Sequence, residues 1–287
     1  MEKKFSTVLS IAGTDPTGGA GVQADLKTFQ ELKSYGMSII TSVVAQNTLG
    51  VQAVHHLPLD MIKEQLHSVF SDLPVHALKT GMIANVEMME VIKKVIQNKG
   101  IPFVIDPVMV ATSGDVLIDE KARNYLIKEL FPLSMIVTPN IPEAEFITGK
   151  DIVTVEDMKE AAKQIVDESG TKSALVKGGH LTEDAIDILY DGERYYNFTE
   201  KRIHTKNTHG TGCTLSAAIT AYISKGCSLE EAVRKGKIFI TKAIRNSFNI
   251  GAGNGPTNHF APRIERGSVI SDSHPKEEKS FNSCDDE

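Results

Sequence analysis

Short runs of β-branched and apolar residues alternate with longer amphipathic segments along most of this chain. Residues 7–12 have the length and apolar content of a buried strand. The segment after them, 19–32, sets Val22, Leu26 and Phe29 on one helical face at spacings of four and three. The alternation predicts further strands at 38–45, 77–80, 103–106, 135–138 and 174–177, and helices at 60–70, 86–97, 157–168, 211–224 and 229–246. Thr154 with Asp157, and Ser228 with Glu231, have the spacing of capping boxes at two helix starts. Asp191-Gly192, between the strand-like runs 186–190 and 195–198, is a hairpin signal. Strands that alternate with helices from end to end imply an α/β protein of three layers, α/β/α, with a central and mostly parallel sheet. Its ligands should lie beyond the carboxyl ends of the strands.

The pattern fades near residue 262. Residues 1–262 read as one domain, and 263–287, polar and without periodicity, as a disordered tail with no catalytic part. Hydrophobic residues make up 41% of the chain, enough for a core, and Trp is absent, so that core is mainly aliphatic. The net charge of -6, with no basic cluster, argues against nucleic-acid or membrane-surface partners. The N-terminal apolar run is too short for a signal peptide, and no stretch approaches the roughly 20 apolar residues of a membrane span. Three cysteines, Cys213, Cys227 and Cys284, make a poor disulfide framework and point to a reducing cytoplasm.

The chemistry-bearing segments fall at predicted strand ends and helix starts. After the first strand comes Gly13-Thr14-Asp15-Pro16-Thr17-Gly18-Gly19-Ala20-Gly21. It lacks the Lys-Ser/Thr of a Walker A loop. Gly19-x-Gly21-x-x-Ala24 matches the dinucleotide fingerprint in form, but no acid ends the second strand to hold a ribose. An NAD(P)-dependent oxidoreductase is therefore the weaker reading, beside a ligand-free glycine turn. His209-Gly210-Thr211-Gly212-Cys213 precedes an apolar helix, a recipe for binding phosphate or a developing oxyanion on exposed N–H groups. The Cys213 thiol should have a lowered pKa at such a helix start. Asp106 and Glu143, each at or just past a strand end, are candidates to hold Mg2+ directly or through its waters. Lys177, before Gly178-Gly179, has the reach for a nucleotide phosphate, whereas Lys237 alone reads as a solvated helix lysine.

Taken together, these blocks resemble a known family. The text AGTDPTGGAGVQADLKTF, YGMSIITSVVAQNTLGVQ, KTGMIA, IDPVM, SGD, TPNIPEAE, VKGGH and KNTHGTGCTLSAA is similar to that of the hydroxymethylpyrimidine/phosphomethylpyrimidine kinases of thiamine biosynthesis, within the ribokinase-like superfamily. The resemblance spans about residues 7–260 and implies a ribokinase-like fold and an ATP- and Mg2+-dependent kinase acting on a small hydroxymethyl heterocycle. It implies that Gly13, Ala20, Asp25, Val44, Gln46, Met82 and Val108 line the pyrimidine pocket. Asn140, Lys177, Thr208 and Lys237 would lie near ATP, and Asp106 and Glu143 would organise Mg2+. Gly210, Gly212 and Cys213 would form the anion hole, with no role for His209 in the chemistry. Many sugar kinases of the superfamily carry Asp where this chain has Cys213, a residue that would repel an acceptor already bearing phosphate. The rival within the fold is a pyridoxal or pyridoxine kinase; the expected lid, Val110-Ala111-Thr112-Ser113-Gly114, lacks the cysteine some of those carry, and has Thr112 where pyrimidine kinases often have Lys. The resemblance also implies a homodimer. Outside the class, a catalytically silent binding protein is disfavoured by the intact Asp106, Glu143, Lys177 and Cys213 set.

Overall fold

The structure, a computed structural model, describes residues 5–109, 117–179 and 184–264. An eight-stranded sheet runs through the molecule in the order β10-β9-β8-β7-β6-β5-β1-β2. Its members are β1 (Thr7–Ala12), β2 (Tyr35–Ile40), β5 (Ala77–Thr80), β6 (Phe103–Ile105), β7 (Ile136–Val137), β8 (Ala174–Lys177), β9 (Asp184–Tyr190) and β10 (Tyr195–Lys201). Pairing is parallel from β2 to β8 and antiparallel through β9 and β10. The Asp191-Gly192 hairpin forms as expected. The Asp191 carboxylate accepts from the N–H groups of Glu193 and Arg194 and so closes its turn.

Strand residues point to the two faces in turn, and each face has its own apolar layer. Leu78, Phe103, Ile105, Val137, Val176 and Ile188 face helices α2 (Leu59–Asp72), α3 (Val86–Ile96), α4 (Glu120–Tyr125), α5 (Ile141–Thr148) and α6 (Val155–Ser169). Ala77, Val104, Ile136, Leu175 and Leu189 face α7 (Thr211–Ile223) and α8 (Leu229–Arg245). Helix α1 (Gly21–Glu31) shares that second face, with Phe29 packed on Val8, Ala217 and Ala221. The three layers therefore follow from the period-two pattern of the strands. Among the described residues, no helix is long and apolar enough to cross a membrane.

Three expectations change. The strand predicted at 38–45 is two strands: β2 ends at Ile40, and after Thr41 the chain leaves the sheet to form β3 (Ser42–Asn47), paired antiparallel with β4 (Gly50–His56) in a separate two-stranded sheet. An apolar run gives no sign of which sheet each half joins. The Thr154–Asp157 capping box is complete, but at the other site only Ser228 plays its part, because the Glu231 carboxylate turns to Lys235 at 2.6 Å. The ordered fold also runs past residue 262: a short helix, α9 (Ala261–Ile264), carries Arg263, whose Nε lies 2.6 Å from Glu31. The lid stretch 110–114 and His180 lie outside the described residues.

Candidate active site

In the sheet order, β1 lies between β2 and β5, so the connections from β1 and β5 diverge there. This is the switch point at which open α/β sheets form a ligand crevice. Gly13 follows β1, and the space its missing side chain leaves is bounded by Met82 Cε at 2.7 Å and Val44 Cγ2 at 3.7 Å. The Thr14 N–H donates to the Ser42 carbonyl at 2.9 Å, and the Thr14 hydroxyl accepts from Val44 N–H at 3.0 Å, which pins the first loop to β3. Ser42, Val44 and Gln46 share the inward face of β3, a register shift between Ala45 and Gln46 marks a bulge, and the Gln46 side chain bonds that of Asp15. Ala20 caps α1, and Val108 is half-buried one turn beyond Asp106.

Asp25 departs from expectation. Its side chain is wholly buried, with Lys79 Nζ 2.8 Å from Oδ1 and the Ser10 hydroxyl donating to Oδ2 at 2.5 Å. It therefore supports the crevice from beneath and does not line it. Burial pushes the Asp25 carboxyl up, while Lys79 and Ser10 pull against that. Lys79 is pressed down by burial yet ends above its ordinary value, because Asp25, Cys213 and Asp106 surround it. Nothing in the chain's periodicity marked Lys79, which stands in the KTGMIA block on β5; only the sheet sets it opposite Asp25.

The phosphate-side groups do converge. Asp106, past the end of β6, accepts from Lys177 Nζ at 3.0 Å, Thr138 at 3.2 Å and Ser216 at 3.3 Å. A Cβ on Gly212 would sit 3.2 Å from Lys177 Nζ and 3.5 Å from Asp106, so the start of α7 faces both groups. Burial works against the Asp106 charge, but Lys177 and Lys79 hold its carboxyl below the usual range. Asn140 caps α5 in a full capping box with Glu143: Glu143 N–H donates to the Asn140 side chain at 2.9 Å and Asn140 N–H to the Glu143 carboxylate at 2.8 Å. The Asn-Ile-Pro-Glu text carries this helix signal, with a Pro in the first turn, although α5 is not among the elements predicted above. Burial pushes Glu143 up to about 7; Asp106 adds to this and Lys177 opposes it. Thr208 accepts from both the N–H and the hydroxyl of Thr211 and shapes the turn into α7. Lys237 is no solvated helix lysine. It is buried on α8 and donates to Asp187 Oδ2 at 2.7 Å, while Asp187 Oδ1 accepts from Gly178 N–H at 3.1 Å.

Two further expectations are corrected. Cys213 shows only part of its surface to the cleft, and burial pushes its thiol up to about 12. Burial is the largest cause, and with Asp106 and Asp25 adding to it the thiol stays protonated against the pull of Lys79 and the Gly21 N–H, so the helix start does not produce a thiolate. The dinucleotide reading of Gly19-x-Gly21 fails on the loop itself. Gly19 and Ala20 N–H groups donate to the Asp15 carboxylate at 3.1 and 2.7 Å, which occupies the amides a pyrophosphate would need. A cavity of ≈ 790 Å³ opens at the opposite, amino ends of the strands, among Phe5, Leu32, Tyr35, Tyr222 and Ile238, and none of the candidate residues reaches it.

A ring crevice at the switch point, with a glycine-capped helix, a lysine and an acid beside it, defines a small-molecule kinase of the ribokinase-like class. The chain belongs to the phosphomethylpyrimidine kinase family, whose sequence profile matches residues 15–258. A hydroxymethylpyrimidine/phosphomethylpyrimidine kinase of Staphylococcus aureus is 52% identical over 261 residues, covering 90% of this chain and 95% of that protein. Among solved structures, a Bacillus subtilis pyridoxal kinase in an ADP complex superposes with a TM-score of 0.85 at 41% identity, covering 91% of this chain and 100% of the other. A phosphomethylpyrimidine kinase of Clostridium difficile superposes with a TM-score of 0.75 at 45% identity, covering 84% and 100%.

Proposed function

We propose that this protein transfers phosphate from ATP to the hydroxymethyl group of 4-amino-5-hydroxymethyl-2-methylpyrimidine, and then to the resulting monophosphate, in thiamine biosynthesis. The observation that carries this reading is the meeting of two half-sites at one sheet edge. The crevice of Gly13, Val44 and Met82 suits a flat ring, and the Gly210–Gly212 turn with Lys177 and Asp106 suits phosphate. Gln46 favours the aminopyrimidine, since one amide both donates and accepts along its edge. The 52% identity to a pyrimidine kinase, against 41% to a pyridoxal kinase of similar fold, points the same way.

The chemistry asks for positioning and charge neutralisation, because phosphoryl transfer passes through a loose transition state. Gly210 and Gly212 keep side chains away from the α7 start, so the N–H groups that follow Thr211, whose own N–H is held by Thr208, can face the transferred phosphate. Lys177, held at 3.0 Å by Asp106, supplies a part-buried positive charge, and Lys237 a second, oriented by Asp187. Asp106 and Glu143 offer the hard oxygen donors that Mg2+ takes alongside water and phosphate. When bound, Mg2+ would neutralise phosphate charge. Cys213, a neutral thiol, leaves room for an acceptor that is itself an anion.

The same reading makes the enzyme a cytoplasmic homodimer whose C-terminal tail takes no part in catalysis. A secondary activity on pyridoxal or pyridoxine is favoured by the TM-score of 0.85 to a pyridoxal kinase. The test compares turnover of hydroxymethylpyrimidine, its monophosphate and pyridoxal with MgATP. The pyrimidines should be preferred; a preference for pyridoxal, or no turnover of the monophosphate, would overturn the reading.

A further inference from the structure

Asp15 and His209 belong to neither half-site, yet they sit where the two meet. Asp15 is fully buried in the loop after β1. Its Oδ1 accepts from the N–H and hydroxyl of Thr17 at 2.9 and 2.7 Å, and its Oδ2 from the N–H groups of Gly19 and Ala20 at 3.1 and 2.7 Å. The fifth donor comes from far along the chain: His209 Nε2 lies 2.7 Å from Oδ2. A carboxylate at this site only accepts, so the imidazole donates from Nε2. Burial alone would raise the Asp15 carboxyl, but the donated bonds, led by that of His209, hold it well below the usual carboxylate range.

His209 is anchored in its turn. Its N–H donates to the Gly255 carbonyl at 3.1 Å and its own carbonyl accepts from Thr257 N–H at 3.4 Å. Its ring fills the place a Gly19 side chain would take. Gly210, at φ 78 and heading α7, lies against the Gly19 carbonyl so closely that any side chain there would overlap it. The ring-binding and phosphate-binding loops thus touch through bare backbone, and the Asp15–His209 hydrogen bond crosses the contact.

We infer that Asp15 and His209 are positioning residues that clamp the ring-binding loop 13–20 to the phosphate-binding turn 208–213, and so set the distance and angle between the acceptor oxygen and the transferred phosphate. This rests on the kinase reading above. Because the reaction is carried by positioning, a misplacement of about 1 Å costs on the order of a hundredfold. Val44 and Met82 come from other segments and hold their side of the crevice, while the Gln46 side chain also bonds that of Asp15 and is tied through it to the loop. Loosening the clamp therefore lowers kcat and leaves the acceptor KM nearly unchanged.

The experiment uses the full chain with His209→Phe, which keeps a ring without a donor, and His209→Gln, whose amide N–H can reach Asp15. His209→Leu, also without a donor, guards against a Phe variant that does not fold. Folded sites are counted by calorimetric titration with a non-hydrolysable ATP analogue. His209→Phe should lose about tenfold or more in kcat per site, with the acceptor KM within about threefold, and His209→Gln should regain most of it. Hydrogen exchange at residues 17–20 and 210–214 should quicken together in the Phe variant and not in the Gln variant. Wild-type kcat in the Phe variant, a loss confined to KM, or a Gln variant no better than Phe would overturn the clamp. If the wild-type protein turns over no ring at all, the functional reading fails instead, and the exchange measurement alone judges the clamp; quickening in one loop only would end it.

Discussion

Lys79→Met should cost the fold about 3–5 kcal/mol at pH 8, the usual range for stripping one partner from a buried ion pair. Both side chains of the pair are fully buried, and among the described residues the Ser10 hydroxyl is the other side-chain partner of Asp25. Met fills most of the lysine stem's volume, so the packing loss is small. What remains is the isolated carboxylate, which either stays charged or takes up a proton. Burial already pushes Asp25 up, and in the variant Lys79 no longer pulls it down. Its folded pKa then lies above the unfolded value of about 3.9. Between those two values the native state binds the extra proton, so stability falls as pH rises, by about 1.4 kcal/mol per unit. The penalty is thus largest at alkaline pH and fades toward pH values near the unfolded pKa. Adding Asp25→Leu removes the stranded charge and should bring the double variant within about 2 kcal/mol of wild type, the remainder being an unpaired Ser10 hydroxyl. Urea unfolding of wild type, single and double variants at pH 5 and pH 8 measures each term. A single variant within about 1 kcal/mol of wild type at pH 8, or a double variant no more stable than the single, would refute the argument.

Three other outcomes follow from the site. With its thiol pushed up to about 12, Cys213 should alkylate at pH 8 on the order of a thousandfold more slowly than an exposed cysteine; site-resolved mass spectrometry showing ordinary reactivity would contradict the burial argument. Cys213→Asp should impair phosphorylation of the monophosphate more than that of the alcohol, since Asp106 and Asp25 already act on this position and a third carboxylate would repel the anionic acceptor; an unchanged second step removes that account of the thiol. Glu143, raised to about 7, contributes stability that is present below its unfolded pKa and lost as pH rises through about 7, up to about 3 kcal/mol; Glu143→Gln should flatten the stability profile across that window, and an unchanged slope would locate the titration elsewhere.

The elements were legible where local chemistry decides them. The predicted 7–12, 77–80 and 174–177 are β1, β5 and β8 to the residue, because short apolar runs bounded by turn residues admit little else. Thr154 with Asp157 marked α6 through a capping box that needs only four residues to form. The 38–45 run failed because both of its halves are strand-like, and only their partners show that they belong to different sheets. Within the site, Asp106, Lys177 and Gly212 were named from the chain and meet in space. Asp25 was named and proved to be a buried support, and Lys79, Asp187 and Asp15 were passed over. Each of these acts through a partner at least eight residues away or through a carboxylate shared among several donors, and no period or spacing carries such a partner.

The amino-acid sequence by itself determined the α/β layering and the edge of the sheet at which the candidate residues gather, and its long family blocks identified the kinase family. Those properties rest on side-chain periodicity and on backbone freedom at glycine turns, both written locally. The state of the groups at that edge was decided by tertiary structure alone. Cys213 sits at a helix start, which favours a thiolate, yet its sulfur is enclosed beside two carboxylates, and burial wins. Lys237 reads as a surface lysine, yet packing of α8 delivers it to Asp187 in the interior. Desolvation and charge pairing depend on what the whole fold brings within a few ångströms, and that proximity exists only once the chain is folded.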